Sequence, residues 1–127
     1  MTIKTPMARA LGLGSAKSGT EHWWMQRVTA VALVPLTLWF VIALLAMESL
    51  DRGTVTAWIA QPVTAVLLLL LVATSIYHSF LGTQVVVEDY TGGATRVVTL
   101  VVIRFLHVAV AVAAVFAILK IAFGTAP

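Results

Sequence analysis

Val63-Thr64-Ala65-Val66-Leu67-Leu68-Leu69-Leu70-Leu71-Val72-Ala73-Thr74-Ser75-Ile76-Tyr77-His78-Ser79-Phe80-Leu81-Gly82-Thr83-Gln84-Val85-Val86-Val87 runs for twenty-five residues without a formal charge. About 20 apolar helical residues cross the roughly 30 Å hydrocarbon layer of a bilayer, so this segment spans it with tilt or protrudes by a turn. Two further blocks flank it. Val28 to Met47 is twenty uncharged residues, and Val97 to Leu119 is twenty-three, with Arg104 and His107 as their ionisable exceptions. Backbone polar groups at that depth find no water and must be satisfied inside a helix. The expected fold is an all-α membrane protein of three transmembrane helices, spans 28–47, 63–87 and 97–119, preceded by an interfacial segment 1–27.

Composition agrees. Of 127 residues, 61% are hydrophobic and 10% charged, and the mean hydropathy is +1.03. A soluble domain carries about 25% charged residues. Eight Lys and Arg against five Asp and Glu suggest a basic chain, but they sit thinly around apolar blocks and read as topology signals, so nucleic-acid binding is discarded. Without Cys there is no disulfide, no thiolate ligand and no iron–sulfur ligation; any metal must be held by His or oxygen.

Lys4, Arg9, Lys17, Arg27 and Arg96 fall on one side of the three spans, and Arg52 and Lys120 on the other. That asymmetry places the N-terminus inside. The first apolar block begins too late and runs too long for a cleavable signal core. Glu48 to Gln61 reads as a connection ending at Pro62, which suits the first turn of a helix. Glu88 to Arg96, with Gly92-Gly93, reads as a short turn between antiparallel neighbours. Pro35 is expected to bend or loosen the first span.

Three such helices, lacking a nucleotide loop or a nucleophile–base set, form part of a larger assembly rather than a self-contained enzyme. Their embedded polar residues then point to what the assembly handles, because ionisable groups at membrane depth are costly. His78 lies ten residues before Glu88, about 15 Å from the helix end. Ser75, Gly82 and Asp89 share its face and leave room for something flat. Imidazole is a common axial ligand of haem; the alternative is a small-residue helix seam across which His78 hydrogen-bonds to a neighbour.

Glu88-Asp89-Tyr90 fits either an aromatic belt or a site where the Tyr hydroxyl and a neighbouring acid meet a quinone carbonyl. Arg27 suits a buried carboxylate such as a haem propionate. His107 and Arg104 read first as packing and lipid contacts. His22, in the anchor Glu21-His22-Trp23-Trp24-Met25-Gln26-Arg27, is a further polar candidate.

Gly14-Ser15-Ala16-Lys17-Ser18-Gly19-Thr20-Glu21-His22-Trp23-Trp24-Met25-Gln26-Arg27-Val28-Thr29-Ala30, followed by Tyr77-His78-Ser79-Phe80-Leu81-Gly82-Thr83-Gln84-Val85-Val86-Val87-Glu88-Asp89-Tyr90, resembles the D-type hydrophobic membrane anchor of succinate dehydrogenase, respiratory complex II. The similarity is greatest to alphaproteobacterial and mitochondrial-lineage members. It covers the whole chain in length, layout and motif order, and its specific element is a His followed by Gly four residues later and Asp-Tyr eleven and twelve later.

The resemblance implies a helical bundle with a second, C-type anchor in the bacterial inner membrane. It implies an iron–sulfur partner and a flavoprotein partner, which alone carry the clusters and FAD. It further implies a b-type haem between the two anchors, ligated by His78 here and by a His of the second anchor, with Arg27 near its propionates. Ubiquinone would be bound by Tyr90 with Asp89 beside it, coupling succinate oxidation to quinone reduction. His107 has no counterpart in the family pattern. Two other classes compete: a small transporter using His78 and Asp89 for protons, disfavoured because all five acids lie outside the spans, and a purely structural anchor.

Overall fold

The computed structural model describes Met7 and residues 17–124. Lys4, Arg9 and Gly14-Ser15-Ala16, used above for orientation and for the resemblance, lie outside the described residues. Within them the chain is helical, with no strand: α1 (Lys17–Leu45), α2 (Arg52–Ile59), α3 (Pro62–Tyr90) and α4 (Gly93–Phe123). The three long helices each carry a window apolar and long enough to cross a membrane, as the three apolar blocks dictate.

Helix limits differ from the apolar limits in three places. α1 begins at Lys17, eleven residues ahead of the uncharged block, so Glu21 to Arg27 belongs to the helix that spans. It also runs unbroken through Pro35. The connection between α1 and α3 contains α2, which is capped at its start by Asp51: the carboxylate accepts from the Thr54 N–H at 3.1 Å, from the Thr54 hydroxyl at 2.7 Å and from the Ser49 hydroxyl at 2.6 Å. Trp58 of α2 lies against Trp39, with centroids 5.8 Å apart, and against Phe40 at 6.2 Å. These rings cover the apolar cluster of Ala65, Leu68 and Ile118, and pairs of this kind contribute about 0.5–1.5 kcal/mol beyond their area. Pro62 occupies the first turn of α3 as expected.

The third difference is the α3–α4 connection, reduced to Thr91 and Gly92 because α3 continues through Tyr90. Arg96 makes so short a turn workable. Its Nε donates to the Thr91 carbonyl at 2.8 Å and its guanidinium NH2 to the Glu88 carbonyl at 2.8 Å and the Thr91 carbonyl at 2.6 Å. The final carbonyls of a helix have no partner within it, and a cation there also opposes the negative end of its dipole. Gly93 has φ +56°, the left-handed region closed to most side chains.

α3 is the centre of the array. α1 packs on one side of it and α4 on the other, α2 touches both α3 and α4, and among the described residues α1 and α4 do not pack together. Few apolar side chains are enclosed, among them Leu68, Leu81, Val87 and Ile118, whereas Val31, Leu38, Ile42, Val66, Leu70, Phe105 and Phe116 face outward. Those outer faces suit lipid and neighbouring subunits, not water.

The ends of these helices give two expected outcomes. Nothing lies within 4 Å of a Cβ built on Gly93, so only its backbone angle resists substitution: Gly93→Ala should destabilise by about 1–2 kcal/mol and Gly92→Ala by less, as measured by thermal unfolding in detergent. The Asp51 carboxyl is held well below the usual carboxylate range, chiefly by the Ser49 hydroxyl and then by the Thr54 hydroxyl and N–H. A depressed folded value means that the cap's contribution is complete above the ordinary carboxylate pKa and is lost only as pH falls through the lowered one. Asp51→Ala should therefore speed hydrogen exchange in α2, and the difference from wild type should persist down to about pH 4.

Candidate functional site

The antiparallel packing of α1 on α3 sets Thr29 opposite His78 and Gln26 beside Gly82. His78 is the sixteenth residue beyond Pro62 and twelve short of Tyr90, so it lies about 18 Å from the end of α3, deep in the membrane. The Thr29 hydroxyl lies 2.8 Å from His78 Nδ1. The same hydroxyl is 2.8 Å from the Met25 carbonyl and 3.1 Å from that of Gln26, and Thr29 is only 6% exposed. Among the described residues His78 Nε2 has one long polar contact, the Gln26 side-chain nitrogen at 3.4 Å.

Beside this pair is a cavity of about 580 Å³ lined by Gly19, His22, Trp23, Gln26, Arg27, Ala30, His78, Gly82 and Val85. Its volume falls within the range usual for cofactor and small-molecule sites. Two buried polar atoms of its lining residues, His22 Nε2 and Gln26 Oε1, have no hydrogen-bond partner among the described residues. Buried polar atoms are nearly always satisfied, so two unsatisfied ones side by side call for a partner that the described residues do not supply. Arg27 lines the same cavity with its guanidinium 5.2 Å from the centroid of Trp23, which leaves its edge N–H groups free to meet a carboxylate.

The structure thus gathers His78, Arg27 and His22 around one space. It does not bring Tyr90 and Asp89 into it. Both are exposed at the end of α3, Tyr90 at 85%, on the turn held by Arg96, while Glu88 accepts from Gln84 at 2.8 Å.

His107 has different surroundings, on the α3–α4 seam. Its Nδ1 donates to the Ile103 carbonyl at 2.8 Å, its Nε2 lies 3.3 Å from the Ser79 hydroxyl, and its ring meets Phe80 edge-on at 5.6 Å. Both nitrogens are engaged within the chain, in keeping with packing. Arg104 lies over the Phe80 ring at 5.4 Å from its centroid and borders a cavity of about 210 Å³ that also reaches Glu21, His22 and Gln84.

Sequence reading missed Thr29 and Gln26. The only signal was Thr29, a hydroxyl residue one position into the uncharged block and two beyond Arg27; which residue of another helix it faces is fixed only by the packing.

Among the described residues no three His, Cys, Asp or Glu side chains come together to hold a bare metal ion. A single imidazole is the donor set suited to a metal that arrives with its own in-plane ligands, as in a haem.

Comparison with known proteins extends the picture. Residues 1–120 match the family model described as "Succinate dehydrogenase/Fumarate reductase transmembrane subunit". The chain is 35% identical over 124 residues to a succinate dehydrogenase hydrophobic membrane anchor subunit of Paracoccus denitrificans, covering 98% of this chain and 96% of that one. It is 41% identical over 88 residues to the protein of that name from Rickettsia bellii, covering 69% and 70%. It is 31% identical to a succinate dehydrogenase membrane anchor subunit of Reclinomonas americana, covering 72% and 80%. No solved structure matches the chain significantly. Three spanning helices, with α3 between the other two, and similarity along almost the whole length lead to one conclusion: the chain belongs to the succinate dehydrogenase/fumarate reductase transmembrane subunit family.

Proposed function

We propose that the chain, a membrane anchor of succinate dehydrogenase, supplies through His78 one axial ligand of a b-type haem and through Tyr90 and Asp89 part of the ubiquinone-reduction site. The observation that carries the haem reading is the cavity of about 580 Å³ in which His78, at membrane depth, meets Arg27 and two buried polar atoms without a partner among the described residues. A haem bound there would supply one-electron transfer chemistry.

The residues of this chain each have a definite task. His78 offers the lone pair of Nε2, whose hydrogen-bond contact among the described residues is the long one to Gln26, weak enough to yield to a ligand bond. Arg27 would pair with an acid group of the haem at the rim, and the exposed edges of the cavity would accept a second membrane anchor, of the C type, supplying the second His ligand. Gly82 keeps the α3 wall low: a Cβ there would meet the Gln26 side chain at 3.6 Å.

Tyr90, projecting from the end of α3, donates its hydroxyl hydrogen to a quinone carbonyl, and Asp89 beside it holds or passes on the proton that the reduced oxygen takes up. Their exposure suits contact with a substrate arriving from the lipid and with a soluble neighbour at the membrane surface. The reading places the N-terminus and the Tyr90 turn on the inner face of the bacterial inner membrane. There an iron–sulfur protein and a flavoprotein, holding the clusters and FAD, dock. Electrons from succinate then reach ubiquinone next to Tyr90, and the chain is not catalytic alone.

Two substitutions test the two halves. His78→Ala in the assembled complex should reduce haem per complex to background in the dithionite-reduced minus oxidised spectrum; retention of the b-type band would refute the ligand role. Tyr90→Phe should leave haem and assembly intact and lower succinate–quinone activity by about 2- to 10-fold, the equivalent of one hydrogen bond. Activity with an artificial electron acceptor should not change.

A further inference from the structure

A hydroxyl has one proton, and the Thr29 hydroxyl has three neighbours within reach: two carbonyl oxygens, at 2.8 Å and 3.1 Å, and His78 Nδ1 at 2.8 Å. Carbonyl oxygens only accept. Two oxygens 2.8 Å apart with no hydrogen between them repel, so the Thr29 proton is committed to the Met25 carbonyl, the usual back-bond of a helical Thr. Thr29 can then only accept from His78, which requires the proton of the neutral imidazole to be on Nδ1. The lone pair is left on Nε2.

We propose that Thr29 is a positioning residue that holds His78 in its Nδ1–H form and so aims the Nε2 lone pair at the cavity. The inference rests on the reading of His78 as a haem ligand and adds what sets that ligand's tautomer, ring angle and basicity. Metal-bound imidazoles almost always donate their other N–H to a fixed acceptor, which orients the ring and makes the ligating nitrogen more electron-rich. Here the acceptor comes from another helix and is itself oriented by the backbone of α1. Because Thr29 is nearly fully buried, water does not substitute for it. His107 shows the contrast: its Nδ1 proton goes to a carbonyl of its own helix, so the acceptor that fixes its tautomer comes from α4 itself.

The test uses the complete complex carrying Thr29→Val, which removes the hydroxyl at nearly constant volume, and Thr29→Ser, which keeps it, with Thr29→Ala as the hydroxyl-free alternative if the Val variant does not assemble. Haem retention is followed against an excess of apomyoglobin as scavenger, and the haem midpoint potential is measured by redox titration. Loss of the acceptor should weaken haem binding by about 10- to 100-fold and shift the potential to more positive values, since a less basic imidazole favours the ferrous state. Thr29→Ser should stay close to wild type in both.

Wild-type retention and potential in the hydroxyl-free variants would overturn the inference. Equal losses in the Ser and hydroxyl-free variants would also overturn it, because packing alone would then explain them. His78→Ala distinguishes the levels: if it loses haem while Thr29→Val does not, the positioning role fails and the ligand role survives; if it keeps haem, both fail.

Discussion

The contact on which most of the architecture depends is the close approach of α1 to α3 at Thr29 and His78. An imidazole in hydrocarbon is tolerable only if its polar atoms find partners. Here a hydroxyl already tied to its own backbone provides one, and an antiparallel register is what places it there. The same register puts Gln26 against Gly82 and brings His22 and Arg27 to one wall with His78. Slipping α1 by one residue would turn its polar face by about 100° and dissolve the cavity, leaving His78 unsatisfied. One short hydrogen bond thus sets both the helix alignment and the shape of the site.

Elsewhere the chain relies little on an interior of its own. A handful of apolar side chains is enclosed, and the broad apolar flanks of all three long helices remain open. Helices in lipid gain nothing from hiding one hydrocarbon surface against another, so close fit and polar contacts carry association. The two ends are secured locally instead, by the Trp39–Trp58 stack at one and by Arg96 gathering the last carbonyls of α3 at the other. A molecule built this way is completed by its neighbours, as expected of a membrane anchor.

The three long helices were legible in the sequence because membrane crossing imposes a length that composition alone reveals. Other features were not. α2 was hidden in a stretch read as a connection, although Asp51 before Thr54 and the spacing of Val55, Trp58 and Ile59 fit a short capped helix. The turn after Tyr90 was read as longer than it is, since nothing local showed that Arg96 would serve as its clasp. His78 could be singled out by depth, and Arg27 by its place at the head of an apolar block. Their meeting with His22 and Gln26 could not be read: the face of α3 that carries Ser75, His78 and Gly82 was visible, but nothing local showed which helix, in which register, would cover it.

The halves of the molecule on either side of His78 are unlike in a way that concerns charge movement across a membrane. Toward the Tyr90 end lie His22, Arg27, Glu21, Arg104 and the acids at the turn. Toward the α2 end, α1 from Ala30 to Leu45 and α4 from Val108 to Leu119 contain no ionisable side chain, and α3 from Pro62 to Ile76 contains none either. Within these three stretches no ionisable side chain offers a proton a next step toward the far side. Helix without ionisable groups offers a charge nothing to rest on, so in a bilayer this half would add to the low-dielectric barrier that the lipid itself presents.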